Sequence, residues 1–275
     1  MNTKDVVIAY RIYPRVSKSP FVYPNDKLKL TEAGIHSFKK ALQGLQYYIY
    51  FILDNCPPEY KSMILTYFNE DDIEFVEPNG IGNLSTFKLQ IELLLSQNMS
   101  EYIFFAEDDY IYVDGAFQKM INFAKQNADA QFISPYDHLD AYELKIHRNE
   151  KYKIKIGEGL HWRTNSSSCL TFLTTKHHLS FYKSCFMSYT YGNWDSTLWY
   201  SITKYHVFKP YNYLVYIFTD FFIFKTFTLA WLRSPFTLLF KKKSNLWQPM
   251  PALATHMEKI SLAPNVNWDE YVIKL

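Results

Sequence analysis

The chain lacks an excess of charge of either sign. Its 29 Lys and Arg stand against 27 Asp and Glu, a formal net charge of +2 over 275 residues. A nucleic-acid binder should show a basic field, so no nucleic-acid partner is expected. Cysteine is scarce as well. Cys56, Cys169 and Cys185 are odd in number, and no pair has close metal-ligand spacing. This argues against a disulfide framework and for a reducing compartment. Met1-Asn2-Thr3-Lys4-Asp5 runs directly into Val6-Val7-Ile8-Ala9-Tyr10, without the apolar region and small-residue cleavage site of a signal peptide. A cytoplasmic location, free or peripheral on the cytosolic membrane face, is the expectation. There is no run of about 18 uncharged apolar residues to span a bilayer, no internal repeat and no long Gly/Ser linker. What is abundant is apolar side chain, at 48% of residues, which rules out wholesale disorder.

The most informative stretch is Tyr102-Ile103-Phe104-Phe105-Ala106-Glu107-Asp108-Asp109-Tyr110. A short apolar run reads as a buried strand. Three consecutive acids cannot follow it into the interior unpaired, so they belong at the strand's mouth. Oxygen-rich clusters of this kind suit hard cations such as Mg²⁺ or Mn²⁺. In an open α/β sheet, the carboxyl ends of strands are also where ligands bind. A solvated turn leading into the next helix is the plainer alternative.

The first half alternates in type. Strands are expected at Val6–Tyr10, Tyr48–Leu53, Ile73–Val76 and Tyr102–Phe105. Helices are expected over Thr31–Leu45, Glu59–Phe68, Ser85–Ser96 and from Ala116 to about Asn127. Such alternation implies a mostly parallel sheet with helices on both faces. Later strands are expected at Phe132–Ser134, Tyr152–Ile156 and Leu170–Thr174, with helices over Lys176–Phe186 and Asp195–Thr203.

Other constellations are weaker when taken alone. Asp54, at the end of the second strand, would share an edge with Asp109 and accept a hydrogen bond from a base or ribose. Asp54-Asn55-Cys56-Pro57-Pro58 is equally a good turn. The loop Asn79-Gly80-Ile81-Gly82-Asn83-Leu84-Ser85 precedes a helix whose free amides suit an anion, and Lys88 one turn in would meet a diphosphate. A capped helix needs the same residues. Asp195 is either an N-cap or a functional acid beside Trp194. A lone His256 in the tail matters only if the tail folds back over the acids.

Together, Phe104-Phe105-Ala106-Glu107-Asp108-Asp109, Asn193-Trp194-Asp195 and His256 resemble a glycosyltransferase of the GT-A fold. Their order matches that fold's Asp-x-Asp motif, its later x-Glu-Asp motif and its C-terminal metal-binding histidine. Arg11 and the Gly82-to-Lys88 loop are similar to bacterial members that build surface polysaccharides. Glu107 stands for the first acid of Asp-x-Asp and preserves its charge; Trp194 stands for the Glu of x-Glu-Asp and leaves Asp195. The resemblance implies a GT-A-like, Rossmann-like sheet with flanking helices. It implies sugar transfer from a nucleotide-diphosphate donor to a saccharide or lipid-linked acceptor, with Mn²⁺ or Mg²⁺ as cofactor. Asp109, Glu107 and His256 would face the metal. Arg11, Asp54, Asn55, Asn83, Lys88 and Asp108 would face the donor. Asp195 would be the base of an inverting transfer, and Trp162 and Trp194 would stack on acceptor sugars unless they are core.

Residues 211–243 form a distinct aromatic segment. Read as a helix, it places Asn212, Thr219, Thr226 and Arg233 on one stripe and leaves the rest apolar, with Lys241-Lys242-Lys243 following. Such a helix suits an anionic membrane surface or a homodimer interface. The expected organisation is a catalytic domain over 1–210, divided near 115 into a nucleotide-sugar half and an acceptor half. A helical segment over 211–248 and a tail over 249–275 returning to the active site complete it. A sugar nucleotidyltransferase is the competing enzyme class, but it should carry a Gly-rich basic loop after the first strand, where Arg11-Ile12-Tyr13-Pro14-Arg15 has no glycine. A membrane-associated scaffold retaining the fold without catalysis is the other alternative.

Overall fold

The computed structural model describes residues 3–15, 19–147 and 150–273. Strand β1 (Val6–Ile12) is buried along its whole length. Val6, Ile8, Tyr10 and Ile12 face one core, and Val7 and Ala9 face the other. This is the two-residue period of a strand covered on both faces. Helix α1 (Lys27–Ala41) begins one turn before the expected Thr31, because the Asp26 side chain caps it by accepting from Lys29 N at 3.0 Å. Then follow β2 (Tyr47–Leu53), α2 (Pro58–Leu65), β3 (Ile73–Val76), α3 (Gly82–Ser96) and β4 (Tyr102–Glu107). β1 pairs in parallel with β2 and β4, and β2 with β3. The register sets Arg11 beside Glu107 and Ile12 beside Leu53. The carboxyl ends of three strands therefore share one edge.

Next come β5 (Tyr110–Tyr112), α4 (Ala116–Gln126), β6 (Phe132–Ile133), α5 (Asp140–Glu143), β7 (Ile154–Gly157), β8 (Leu160–Asn165) and β9 (Phe172–Thr175). The helix expected over 176–186 is broken at Tyr182 into α6 (Lys176–Phe181) and α7 (Lys183–Met187). Helix α8 (Asp195–Thr203) runs as expected. The central sheet has the order β3-β2-β1-β4-β9-β6-β10-β8-β7, where β10 is Leu246–Met250. Its first four strands are parallel, and β9 runs antiparallel between β4 and β6. An all-parallel half, a mixed half and helices on both faces make an α/β architecture of the kind expected from the sequence.

Residues 211–243 are not one helix. They form α9 (Pro210–Thr219), α10 (Phe221–Arg233) and α11 (Pro235–Phe240). Asp220 breaks the first junction and caps α10 by accepting from Ile223 N at 3.2 Å. Ser234 and Pro235 break the second; proline is at home in a first helical turn and not in the middle of one. The single polar stripe through Asn212, Thr219, Thr226 and Arg233 therefore does not exist. Nor does the segment end in helix at 248, since β10 inserts into the central sheet between β6 and β8. Beyond it, β11 (Ala254–His256) pairs antiparallel with β5. Gly34 on α1 permits this closure: a Cβ there would meet Tyr110 O at 3.1 Å and the Met257 side chain at 3.3 Å.

Candidate active site

At the shared edge of β1, β2 and β4 lies a cavity of about 550 Å³ lined by Arg11, Arg15, Lys27, Asp54, Glu107 and Asp109 among others. The three acids at the end of β4 divide their tasks. Glu107, still within the strand, accepts from Arg11 Nη2 through one oxygen and from Thr171 Oγ1 at 2.9 Å through the other. Both oxygens are thereby engaged, which gives Glu107 an organising role at the cavity wall. Asp108 pairs with Lys27 Nζ at 2.8 Å and accepts from Tyr13 N at 3.1 Å. Burial raises its carboxyl against the pull of Lys27.

Asp109 meets His256. The β11–β5 register sets His256 opposite Tyr110, and Met257 N donates to Asp109 O at 2.7 Å. His256 Nε2 then lies 3.0 Å from Asp109 Oδ2. Burial pushes the Asp109 carboxyl up, but the imidazolium brings it below its ordinary value. Burial opposes charge on His256 too, yet Asp109 holds its pKa up, to about 9. Asp109 Oδ1 and His256 Nδ1 are both buried without a hydrogen-bond partner. Among the described residues no group of three or more His, Cys, Asp or Glu is placed to enclose a metal ion. A carboxylate with an orphaned buried oxygen beside a histidine is a donor set that would fit a divalent cation.

The expected donor set is redistributed. Arg11 Nη1 bonds Asn83 through both its carbonyl, at 3.2 Å, and its side chain. Asn83 Nδ2 donates to the Tyr189 hydroxyl at 3.1 Å. These two residues stay on the cavity. Asp54 lines it too, but its oxygens accept from Ile81 N at 2.9 Å and Gly82 N at 2.8 Å. Helix α3 has no side-chain cap of its own, and Asp54 supplies one from β2. Asp54 thus acts as the cap of α3 while lining the cavity. Asn55 has φ 55°, a left-handed turn conformation that asparagine tolerates, and its N–H bonds Pro78 O at 3.0 Å. Its place is structural. Lys88 is exposed, pairs with Glu92 at 3.7 Å and does not line the cavity. Lys27, which the sequence reading passed over, provides the buried cation in its stead.

A second cavity, of about 300 Å³, contains Asp195 with His138, Asn165, Cys169, Tyr200 and Phe222. Asp195 is the first residue of α8, and its side chain accepts from Ser196 N at 3.0 Å. The N-cap position belongs to Trp194, and Asp195 satisfies a first-turn amide of α8 from the position after it. Burial raises its carboxyl above the usual range, and the Glu107 charge adds to the rise. Burial also raises the Cys169 thiol, with Asp195 and Glu107 both contributing. Glu107 of the first cavity and Cys169 and Asp195 of the second are thus near enough for their charges to interact. His138 also faces this region and was not foreseen; burial lowers its pKa.

The two tryptophans differ from expectation. Trp162 on β8 is fully buried, stacked on Phe123 at 4.1 Å, and donates to Gly157 O at 2.9 Å. It is core and reaches no acceptor. Trp194 is stacked on Phe222 at 5.2 Å with Lys225 over its ring. It ties α8 to α10 and is half-buried.

No family model matches this chain, and no curated protein matches it. Solved structures do. A galactosyltransferase LgtC in complex with donor and acceptor sugar analogues is similar at TM-score 0.47 and 10% identity, over 91% of this chain and 86% of that one. An active-site mutant of LgtC is similar at TM-score 0.48 and 12% identity, over 96% and 93%. TarS 1–349 of S. aureus is similar at TM-score 0.44 and 10% identity, over 70% and 55%.

Proposed function

We propose that this chain is a metal-dependent glycosyltransferase. It moves a sugar from a nucleotide-diphosphate sugar to a hydroxyl of a saccharide or lipid-linked acceptor, with inversion, in surface polysaccharide or glycan synthesis. The observation that carries this reading is a pair of cavities with complementary contents. One is lined by Arg11, Lys27 and Asp109, the partner of His256; the other holds a carboxyl whose basicity burial has raised.

The diphosphate belongs in the first cavity, beside Arg15 and the Arg11–Glu107 and Lys27–Asp108 pairs. Asp109 and His256 are the residues that would hold Mn²⁺ or Mg²⁺, and the chemistry supplied there is Lewis-acid neutralisation of the leaving diphosphate. The acceptor hydroxyl belongs in the second cavity, against Asp195. As the hydroxyl oxygen bonds the anomeric carbon, the bond from that carbon to the diphosphate oxygen breaks. The proton passes to Asp195, which acts as general base. A single base and no covalent intermediate give inversion. Burial raises the pKa of Asp195, which makes its carboxylate a stronger base than an ordinary aspartate.

A thermal-shift panel of UDP, GDP, CDP and ADP, with and without Mn²⁺, tests the donor half, since a ligand bound only by the native state raises its melting temperature. One nucleotide should raise it, and only with the cation. No shift with any nucleotide at millimolar concentration contradicts the reading.

A further inference from the structure

The helices α9, α10 and α11 are built inside out. Helix α9 has no buried residue, and Tyr211, Leu214 and Phe218 follow one another at helical spacing on its outer side, at 73%, 68% and 87% exposure. Phe221 and Leu232 on α10 and Phe236, Leu239 and Phe240 on α11 are likewise exposed. Only the inner side packs, with Phe227, Ala230 and Leu238 against Tyr200 and Val207. Contiguous exposed apolar surface on this scale marks an interaction site.

The charge around this layer selects the partner. Residues 204–243 carry seven Lys or Arg and one acid, Asp220, whereas the rest of the chain carries 22 basic side chains against 26 acidic ones. A second copy of this chain would set like charge against like. An anionic bilayer meets both features, since exposed aromatics enter the headgroup boundary and the cations meet phosphate. No helix among the described residues is long and apolar enough to cross a membrane.

We propose that α9–α11 dock the protein peripherally on an anionic lipid surface. Asp220, Phe222, Ile223 and Thr226 of this layer also line the cavity that holds Asp195. The docked face therefore borders the acceptor cavity. Resting on the transferase reading, this gives the acceptor as an amphiphile drawn from the lipid boundary.

Flotation with liposomes of phosphatidylcholine alone, and of phosphatidylcholine with 30% phosphatidylglycerol, tests the docking on the full chain. The protein should float with the anionic vesicles, and less at high salt. Each cation near such a surface is worth roughly fivefold in partitioning, so Arg233→Ala with Lys242→Ala and Lys243→Ala should weaken flotation roughly a hundredfold. Phe218→Asp with Phe221→Asp should abolish it. Melting curves identical to wild type show that the variants fold. Absence of flotation with anionic vesicles overturns the proposal, as does equal flotation of wild type and the triple variant. So does a dimer in solution that Phe221→Asp breaks while no vesicle is bound. Flotation that persists while no nucleotide shifts the melting temperature removes the transferase reading and leaves the docking intact.

Discussion

Removing the Asp54 side chain should unsettle the fold before it alters nucleotide choice. Asp54 is 1% exposed, and its two oxygens accept from Ile81 N and Gly82 N at 2.9 and 2.8 Å. A hydrogen bond to a charged group contributes about 1.5–3 kcal/mol, and a buried donor left unmade costs about 1–3 kcal/mol. The start of α3 lies beside the cavity, so water can reach part of what Asp54→Ala vacates. A net loss of about 3 kcal/mol is therefore expected. At about 2–4 °C per kcal/mol for a chain approaching this size, the melting temperature should fall by about 6–12 °C. Asp54→Asn keeps one acceptor oxygen and should lose about half as much. Urea denaturation and calorimetry read both. Arg11 is anchored on Asn83, the residue after Gly82, so nucleotide affinity should fall as well, without a change in preference among bases. Stability within about 0.5 kcal/mol of wild type, the range of ordinary surface changes, together with altered base preference, would refute the capping argument and restore the base-reading role.

Three further outcomes follow from the site and its supports. Asp195→Asn should leave nucleotide binding unchanged and remove transfer, and in wild type the rate should rise with pH through an apparent pKa above the ordinary aspartate value of about 3.9, because the ionised form is the base and burial has raised its pKa; a limb at or below that value contradicts the assignment. Lys27→Met strands the buried Asp108 carboxylate, and breaking such a pair costs about 3–5 kcal/mol, whereas Lys27→Met with Asp108→Asn should recover part of the loss in urea denaturation. Trp162→Ala should cost about 3–5 kcal/mol through the cavity it leaves, with the acceptor KM unchanged wherever the variant remains folded.

How much of this was legible in the sequence depends on how local each cause is. The apolar run ending in three acids carries its own meaning, because buried charge needs a partner or water, and β4 places the acids at the cavity as read. His256 was legible through its order in the chain relative to the acids, and the β11–β5 pairing delivers it. Lys27 was not, because the start of α1 is set by Asp26 and the helix had been read from Thr31. The capping role of Asp54 was hidden for a related reason: its partners are amides 27 and 28 residues away, and no local pattern announces a cap supplied from the end of another strand. Trp162 alternates with His161 and Arg163, so the face it takes is set only by the pairing of β8 with β10. That strand, Leu246–Met250, was hidden behind a segment dominated by helical aromatics. Along residues 211–243 the apolar content masked the breaks at Asp220 and Ser234, which act through backbone conformation rather than hydropathy.

The central claim is that Asp109 and His256 hold a divalent cation against a nucleotide diphosphate. Calorimetric titration of the nucleotide that gives the largest thermal shift tests it directly, in wild type and Asp109→Ala, with Mn²⁺ and with chelator. Changes even in the partners of metal ligands typically cost about 10–100-fold in affinity, so removal of Asp109 should cost about 100-fold or more in the Mn²⁺-dependent affinity while the melting curve without nucleotide stays cooperative. Nucleotide affinity that is the same with Mn²⁺ and with chelator, or the same in wild type and Asp109→Ala, contradicts the account.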